Sequence, residues 1–159
     1  MIGKYSPEEV DKMWFQQAKP GRHFIGRLPF KGDLLQALEA FAAEKQVHAG
    51  WVQVIGAVEK AVIGFYNQQK RQYEHLVFDK ELEIVSCLGN ISLREGRPVA
   101  HLHITLGDNL GGLLGGHLVP GTVVFAGEFF LQELIGPRLV RGPDSDTGLP
   151  LWEKIQGSD

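Results

Sequence analysis

Three histidines within seventeen residues carry most of the chemical potential of this chain. His101 and His103 stand in Pro98-Val99-Ala100-His101-Leu102-His103-Ile104-Thr105-Leu106, and His117 follows in Gly115-Gly116-His117-Leu118. In a strand, alternation sends His101 and His103 to one face and Ala100, Leu102, Ile104 and Leu106 to the other. Neutral imidazole nitrogens suit Zn²⁺ and its neighbours, and a His-x-His pair offers two ligands from one strand face. His117 lies fourteen residues after His103, far enough for a loop to fold back beside the pair. Gly111-Gly112 and Gly115-Gly116 give the backbone the freedom for that return. Three histidines leave one coordination position open, where a divalent ion activates water or accepts a ligand oxygen. Asp108 or Glu128 can close that position instead. A plainer reading stands beside this one: two histidines on a wet strand face bonded to water or backbone, and a third in a turn.

No second signature assigns a reaction, so the catalytic residues are unknown at this level. The chain has no His-Glu-x-x-His pair, no cysteine ligand set, and no His-x-Glu with a downstream Cys-x-x-Cys. Gly107 to Gly121 is rich enough in glycine to form an anion nest, but it lacks a Gly-Lys-Ser/Thr ending and no helix start follows it. His23, His48 and His75 are isolated and read as surface or satisfied histidines. Trp14, Trp51 and Phe129-Phe130 read as core or subunit-contact residues. Glu81 and Glu83 share a strand face that a solvated edge explains as well as acid–base chemistry does. Cys87, the single cysteine, sits in the apolar run Ile84-Val85-Ser86-Cys87-Leu88; it excludes an internal disulfide and reads as a packed residue.

The elements that must position the histidines are mostly strands. Ser6-Pro7-Glu8-Glu9 has the cap, first-turn proline and third-position acid of a short helix over 7–18. A first strand is expected over Arg22 to Leu28. The clearest helix has Asp33 as N-cap and an apolar stripe of Leu34, Leu35, Leu38, Phe41 and Ala42, ending near Gln46. Strands follow over Val47 to Ala57 and Glu59 to Tyr66, broken at Gly56, then over Gln72 to Phe78. Another runs from Glu81 to Leu93, interrupted at Gly89-Asn90, and Arg94 to Pro98 turns into the histidine strand. A last strand spans Thr122 to about Leu134, and a loop-like tail covers 136–159, with Leu149, Leu151 and Trp152 as the residues to dock it back. Closely spaced strands without intervening helices predict an α+β fold, a mostly antiparallel sheet covered by one main helix.

Length and composition fit one domain over 1–159 with a single core. No apolar run approaches the roughly 18 to 20 residues needed to cross a bilayer, and no basic-then-apolar leader opens the chain; the expected compartment is the cytoplasm. A net charge of −3 and a pI near 6.1, with sixteen Lys and Arg scattered along the chain, weigh against autonomous duplex binding, which needs clustered cations.

Taken in order, Gly32-Asp33-Leu34-Leu35, Gly56-Ala57-Val58, Glu83-Ile84-Val85-Ser86-Cys87-Leu88-Gly89-Asn90-Ile91, His101-Leu102-His103, Gly115-Gly116-His117-Leu118 and Gly121 resemble the plants-and-prokaryotes conserved (PPC) domain over a core of roughly residues 22–135. The resemblance implies an α+β domain that assembles as a homotrimer, with His101, His103 and His117 as a metal site, Zn²⁺ being the expected ion, and room for a small ligand or anion. Plant members join this domain to basic AT-hooks that hold DNA, and stand-alone prokaryotic members commonly carry a DNA-binding label. A DNA-associated regulatory or architectural role is therefore the second expectation. An AT-hook needs a basic Arg-Gly-Arg-Pro core in a flexible segment, whereas Gly96-Arg97-Pro98 is a turn preceded by Glu95. The chain thus resembles the stand-alone type, without the hook.

Overall fold

A computed structural model describes residue 6, residues 13–136 and residues 138–153. Among these, strands β1 (Lys19–Arg27), β2 (Gly50–Asn67), β3 (Gln72–Phe78), β4 (Leu82–Arg94), β5 (Arg97–Gly107), β6 (Leu113–Leu118) and β7 (Val123–Ile135) form one sheet around helix α1 (Leu34–Glu44). The strand order is β1-β7-β2-β4-β5-β6, with β3 added to β2. Every strand pairing is antiparallel, and the fold is α+β as expected.

The long strand β2 organises the sheet. Its first half pairs β7 on one side and β4 on the other, and its second half pairs β3 and meets β6 at Ile63↔Leu118 and Gly64↔His117. Because β6 also pairs β5, strands β2, β4, β5 and β6 close a ring of pairings. β2 is not broken at Gly56. A register shift between Val54 and Gly56 bends it instead, and Gly56 holds φ 142°, which an L side chain rarely adopts. β4 likewise runs unbroken through Gly89-Asn90, because both residues keep their partners Leu102 and His101.

Asp33 starts α1 and also anchors it. One carboxylate oxygen accepts the Gln36 amide at 2.9 Å, and the other accepts the Gly121 amide from the turn before β7. The helix buries Leu34, Leu35, Leu38 and Ala42 against the sheet, where Val52, Val54, Ile91, Leu102, Ile104 and Leu131 complete the core. Phe41 is half-buried and packs edge-on against Phe129, ring centroids 5.0 Å apart. Cys87 is buried in the same core, and burial pushes its thiol up to about 12, so it is a packed residue rather than a reactive one.

The termini depart from expectation. Of the helix expected over 7–18, residues 7–12 lie outside the described residues, and residues 13–18 carry no regular structure. β1 begins early because Lys19 and Pro20 already pair with Ile135 and Leu134. The tail is not simply loop: β8 (Arg141–Pro143) and β9 (Pro150–Trp152) form a hairpin that docks through Leu93↔Val140, and Trp14 rests on Trp152 at 6.0 Å. No helix among the described residues is long and apolar enough to cross a membrane.

Asp33→Ala removes the helix cap together with the tie to Gly121. A loss of about 2 kcal/mol is expected, measured by urea unfolding, with Asp33→Asn losing less.

Candidate metal centre

His101 and His103 point away from the core, as alternation requires: Leu102, Ile104 and Leu106 between and beyond them are buried. On the neighbouring strand His117 stands directly opposite His103. The three ring centroids form a near-equilateral triangle, with separations of 5.4, 5.1 and 5.4 Å. One nitrogen from each ring lies within 4.8 Å of the other two. The return of His117 is made by a strand, not by a folded-back loop, and Gly115-Gly116 sit inside that strand.

Burial prepares the rings for ligation. His101 and His117 are half-buried, and desolvation, followed by charge from Arg141 and the neighbouring imidazoles, holds both down to about 4. Both are neutral at pH 7, the state in which an imidazole ligates a cation. His117 Nδ1 is buried with no hydrogen-bond partner, and an orphaned buried nitrogen is costly unless something accepts its lone pair or its proton. A divalent ion supplies such a partner, so the donor set fits a transition metal of the zinc type. Among the described residues no carboxylate joins the group.

Gly89 is part of this construction. It lies on β4 against Leu102, between Leu88 opposite His103 and Asn90 opposite His101. A Cβ on Gly89 would fall on the His101 carbonyl oxygen, so only glycine allows β4 and β5 to close at the histidine pair.

Residues 15–135 match the family model of the Plants and Prokaryotes Conserved (PCC) domain. The chain belongs to this family. Among solved PCC-like structures, the metal-containing protein AF0104 from Archaeoglobus fulgidus is 39% identical, with a TM-score of 0.85 over 89% of this chain and 100% of that one. A plant- and prokaryote-conserved protein from Pyrococcus horikoshii is 33% identical, with a TM-score of 0.84 over 91% and 99%. A Bacteroides thetaiotaomicron protein whose name supposes DNA binding is 29% identical, with a TM-score of 0.76 over 87% and 98%. The bifunctional protein GlmU of Synechococcus sp. (strain JA-3-3Ab) is 32% identical over 118 residues; the match covers 73% of this PCC chain and 18% of the length of GlmU.

Of the other candidates of the PCC chain, His75 lies across Gly64 from His117 and its charge helps hold that ring down; the rest stand apart from the histidines. Asp108 accepts the Leu110 and Gly112 amides at 3.0 and 2.8 Å and meets Lys80 at 3.6 Å, so the supposed anion nest is filled by the chain's own carboxylate. Glu128 lies on β7 opposite Arg27 and Ile55. His75 and His48 are exposed, and His23 stacks on Phe130 at 5.8 Å. Sequence reasoning missed Tyr73, whose ring is 5.0 Å from His117, and Arg141, whose Nη2 is 3.2 Å from His101 Nδ1. Tyr73 carries no local signal, because only the pairing of β3 on β2 brings it near. Arg141 was hidden in a segment that reads as loop.

Gly89→Ala is expected to cost about 3 kcal/mol by forcing β4 from β5, seen as a lowered denaturation midpoint and loss of any metal uptake. Acid should act on the metal-free protein through the two half-buried rings, His101 and His117. Their folded values, about 4, lie below the ordinary 6.5, so the unfolded chain takes up protons first as pH falls. Their contribution is full above pH 6.5 and lost progressively toward pH 4, and thermal melts across that range should show a smaller loss in His117→Gln.

Proposed function

We propose that this chain is a cytoplasmic, homotrimeric PCC-domain protein, one domain over 1–159, that holds a divalent metal, zinc first among candidates, on His101, His103 and His117. The observation that carries this reading is the buried, partnerless His117 Nδ1 within a group of three converging ring nitrogens. The name of the A. fulgidus protein, metal-containing, adds support. A divalent ion on three imidazoles supplies Lewis-acid chemistry, with a position left for water or a small anion. The trimer is supported by the sheet face opposite α1. There Ile25, Trp51, Ile55 and Leu88 are exposed, an apolar surface beside His103 that suits a subunit contact.

A second reading, a DNA-associated protein, draws on the name of the B. thetaiotaomicron neighbour and is opposed by the net charge of −3. Duplex binding by this route would weaken steeply with salt.

Metal analysis of tag-free protein is expected to find about one zinc per chain, lost in His103→Ala, with three protomers by light scattering. Less than about a tenth of an equivalent, unchanged by that substitution, overturns the metal reading. Salt-sensitive duplex binding with empty histidines favours the second.

A further inference from the structure

Beside the histidines lies a cavity of about 340 Å³ whose polar lining includes Glu39, Tyr73, Arg94, His101, His117 and Arg141. Arg141 is half-buried, yet every hydrogen bond it makes goes to a neutral acceptor. Nε donates to Ser92 Oγ at 2.8 Å, Nη1 to the Pro150 carbonyl at 3.0 Å, and Nη2 to Asn90 Oδ1 at 2.9 Å and to His101 Nδ1 at 3.2 Å. The guanidinium also lies over the Trp152 ring, 5.6 Å from its centroid. Among the described residues no carboxylate pairs with it. Arg22 makes the contrast, gripping both oxygens of Glu133 at 2.7 and 2.8 Å from an exposed position.

A half-buried guanidinium without a counter-charge is unfavourable on its own, and four fixed contacts hold this one in place rather than letting it reach solvent. One of its five N–H groups has no partner among these contacts, and its longest bond is the one to His101. The cavity carries two fixed positive charges, Arg94 and Arg141, against one negative, Glu39, whose Oε1 already accepts the Ala100 amide at 3.0 Å. Its remaining wall is apolar, from Val99, Ala100, Leu149 and Leu151. A planar fork in a cavity that also has an apolar wall matches a carboxylate with a short organic tail better than a bare tetrahedral anion.

We propose that Arg141 is the recognition residue for a small organic carboxylate in this cavity, and that it gives up His101 Nδ1 when it binds one. Guanidinium only donates, so while Arg141 holds His101 the Nδ1 lone pair is occupied and the imidazole proton stands on Nε2. Neither nitrogen then has a lone pair for a cation. A carboxylate that takes over the Arg141 donor frees the ring, so anion and metal each favour the other's binding. This last consequence rests on the metal reading; recognition of the anion by Arg141 does not.

The test uses full-length, metal-free protein, with ¹⁵N NMR of the His101 imidazole and the Arg141 Nε–H and with acetate as the probe. Without acetate, His101 should show the Nε2–H tautomer. Acetate should shift both resonances saturably, whereas acetamide, its neutral counterpart, should not. Arg141→Lys should weaken the response about tenfold or more, and the exposed Arg27→Lys should leave it unchanged; Arg141→Met is the second variant should lysine disturb the hairpin. In zinc titrations against a competing chelator, acetate should tighten uptake in the wild type and not in Arg141→Met. A wild-type protein with no saturable acetate response, or one in which inorganic phosphate binds more tightly than acetate, overturns the assignment. Acetate binding without zinc uptake strikes the metal reading alone, and zinc uptake without acetate binding strikes this inference alone.

Discussion

Two histidines on β5 become a three-nitrogen group only because β6 arrives in the register that sets His117 against His103. Strand side chains alternate, so a slip of one residue would turn His117 inward and bring Leu118 to the wet face. Burial forbids that slip. Leu118 is buried, Leu114 faces Leu106 across the same pair, and Asp108 pins the intervening turn through two backbone amides. The glycines do the rest by being small. A Cβ at Gly115 would fall on the Ile104 carbonyl, and one at Gly116 would approach the Gly64 carbonyl at 2.9 Å. Side chains there would hold β6 away from β5 and β2.

The same closure sets the electrostatics. Drawing β6 between β5 and β2 removes solvent from His101 and His117, which keeps both rings neutral, while Arg141 occupies the Nδ1 lone pair of His101. It also leaves His117 Nδ1 without a partner. The β8–β9 hairpin then carries a guanidinium to the rim of the group, fixed by Asn90, Ser92 and Pro150. A site of neutral nitrogens beside an uncompensated positive charge is asymmetric: one part can accept a cation, and the other attracts an anion.

Much of the scaffold was legible in local pattern. The helix was readable from Asp33 and its apolar stripe, because caps and i, i+3, i+4 spacing are local properties. The shared face of His101 and His103 followed from alternation in the same way. Interruptions at Gly56 and Gly89 were misread, since a glycine in a strand signals either a break or a close approach, and only the neighbouring strand distinguishes them. At Gly56 the chain bends; at Gly89 it runs straight against the His101 carbonyl. Within Gly107–Gly121, Gly115 and Gly116 were misread for the same reason, being accommodations to β5 and β2, whereas Gly111 and Gly121 do sit in turns with positive φ.

The sequence by itself determined which residues could ligate and which strand faces they would occupy, because residue type and two-residue periodicity are written in the chain. Family membership followed from the ordered motifs. Tertiary structure alone decided that His117 meets His103 across a ladder, that burial keeps the rings neutral, and that Tyr73 and Arg141 join them. Those outcomes depend on pairings between strands far apart in sequence, and on the solvent those pairings exclude. No local pattern encodes either.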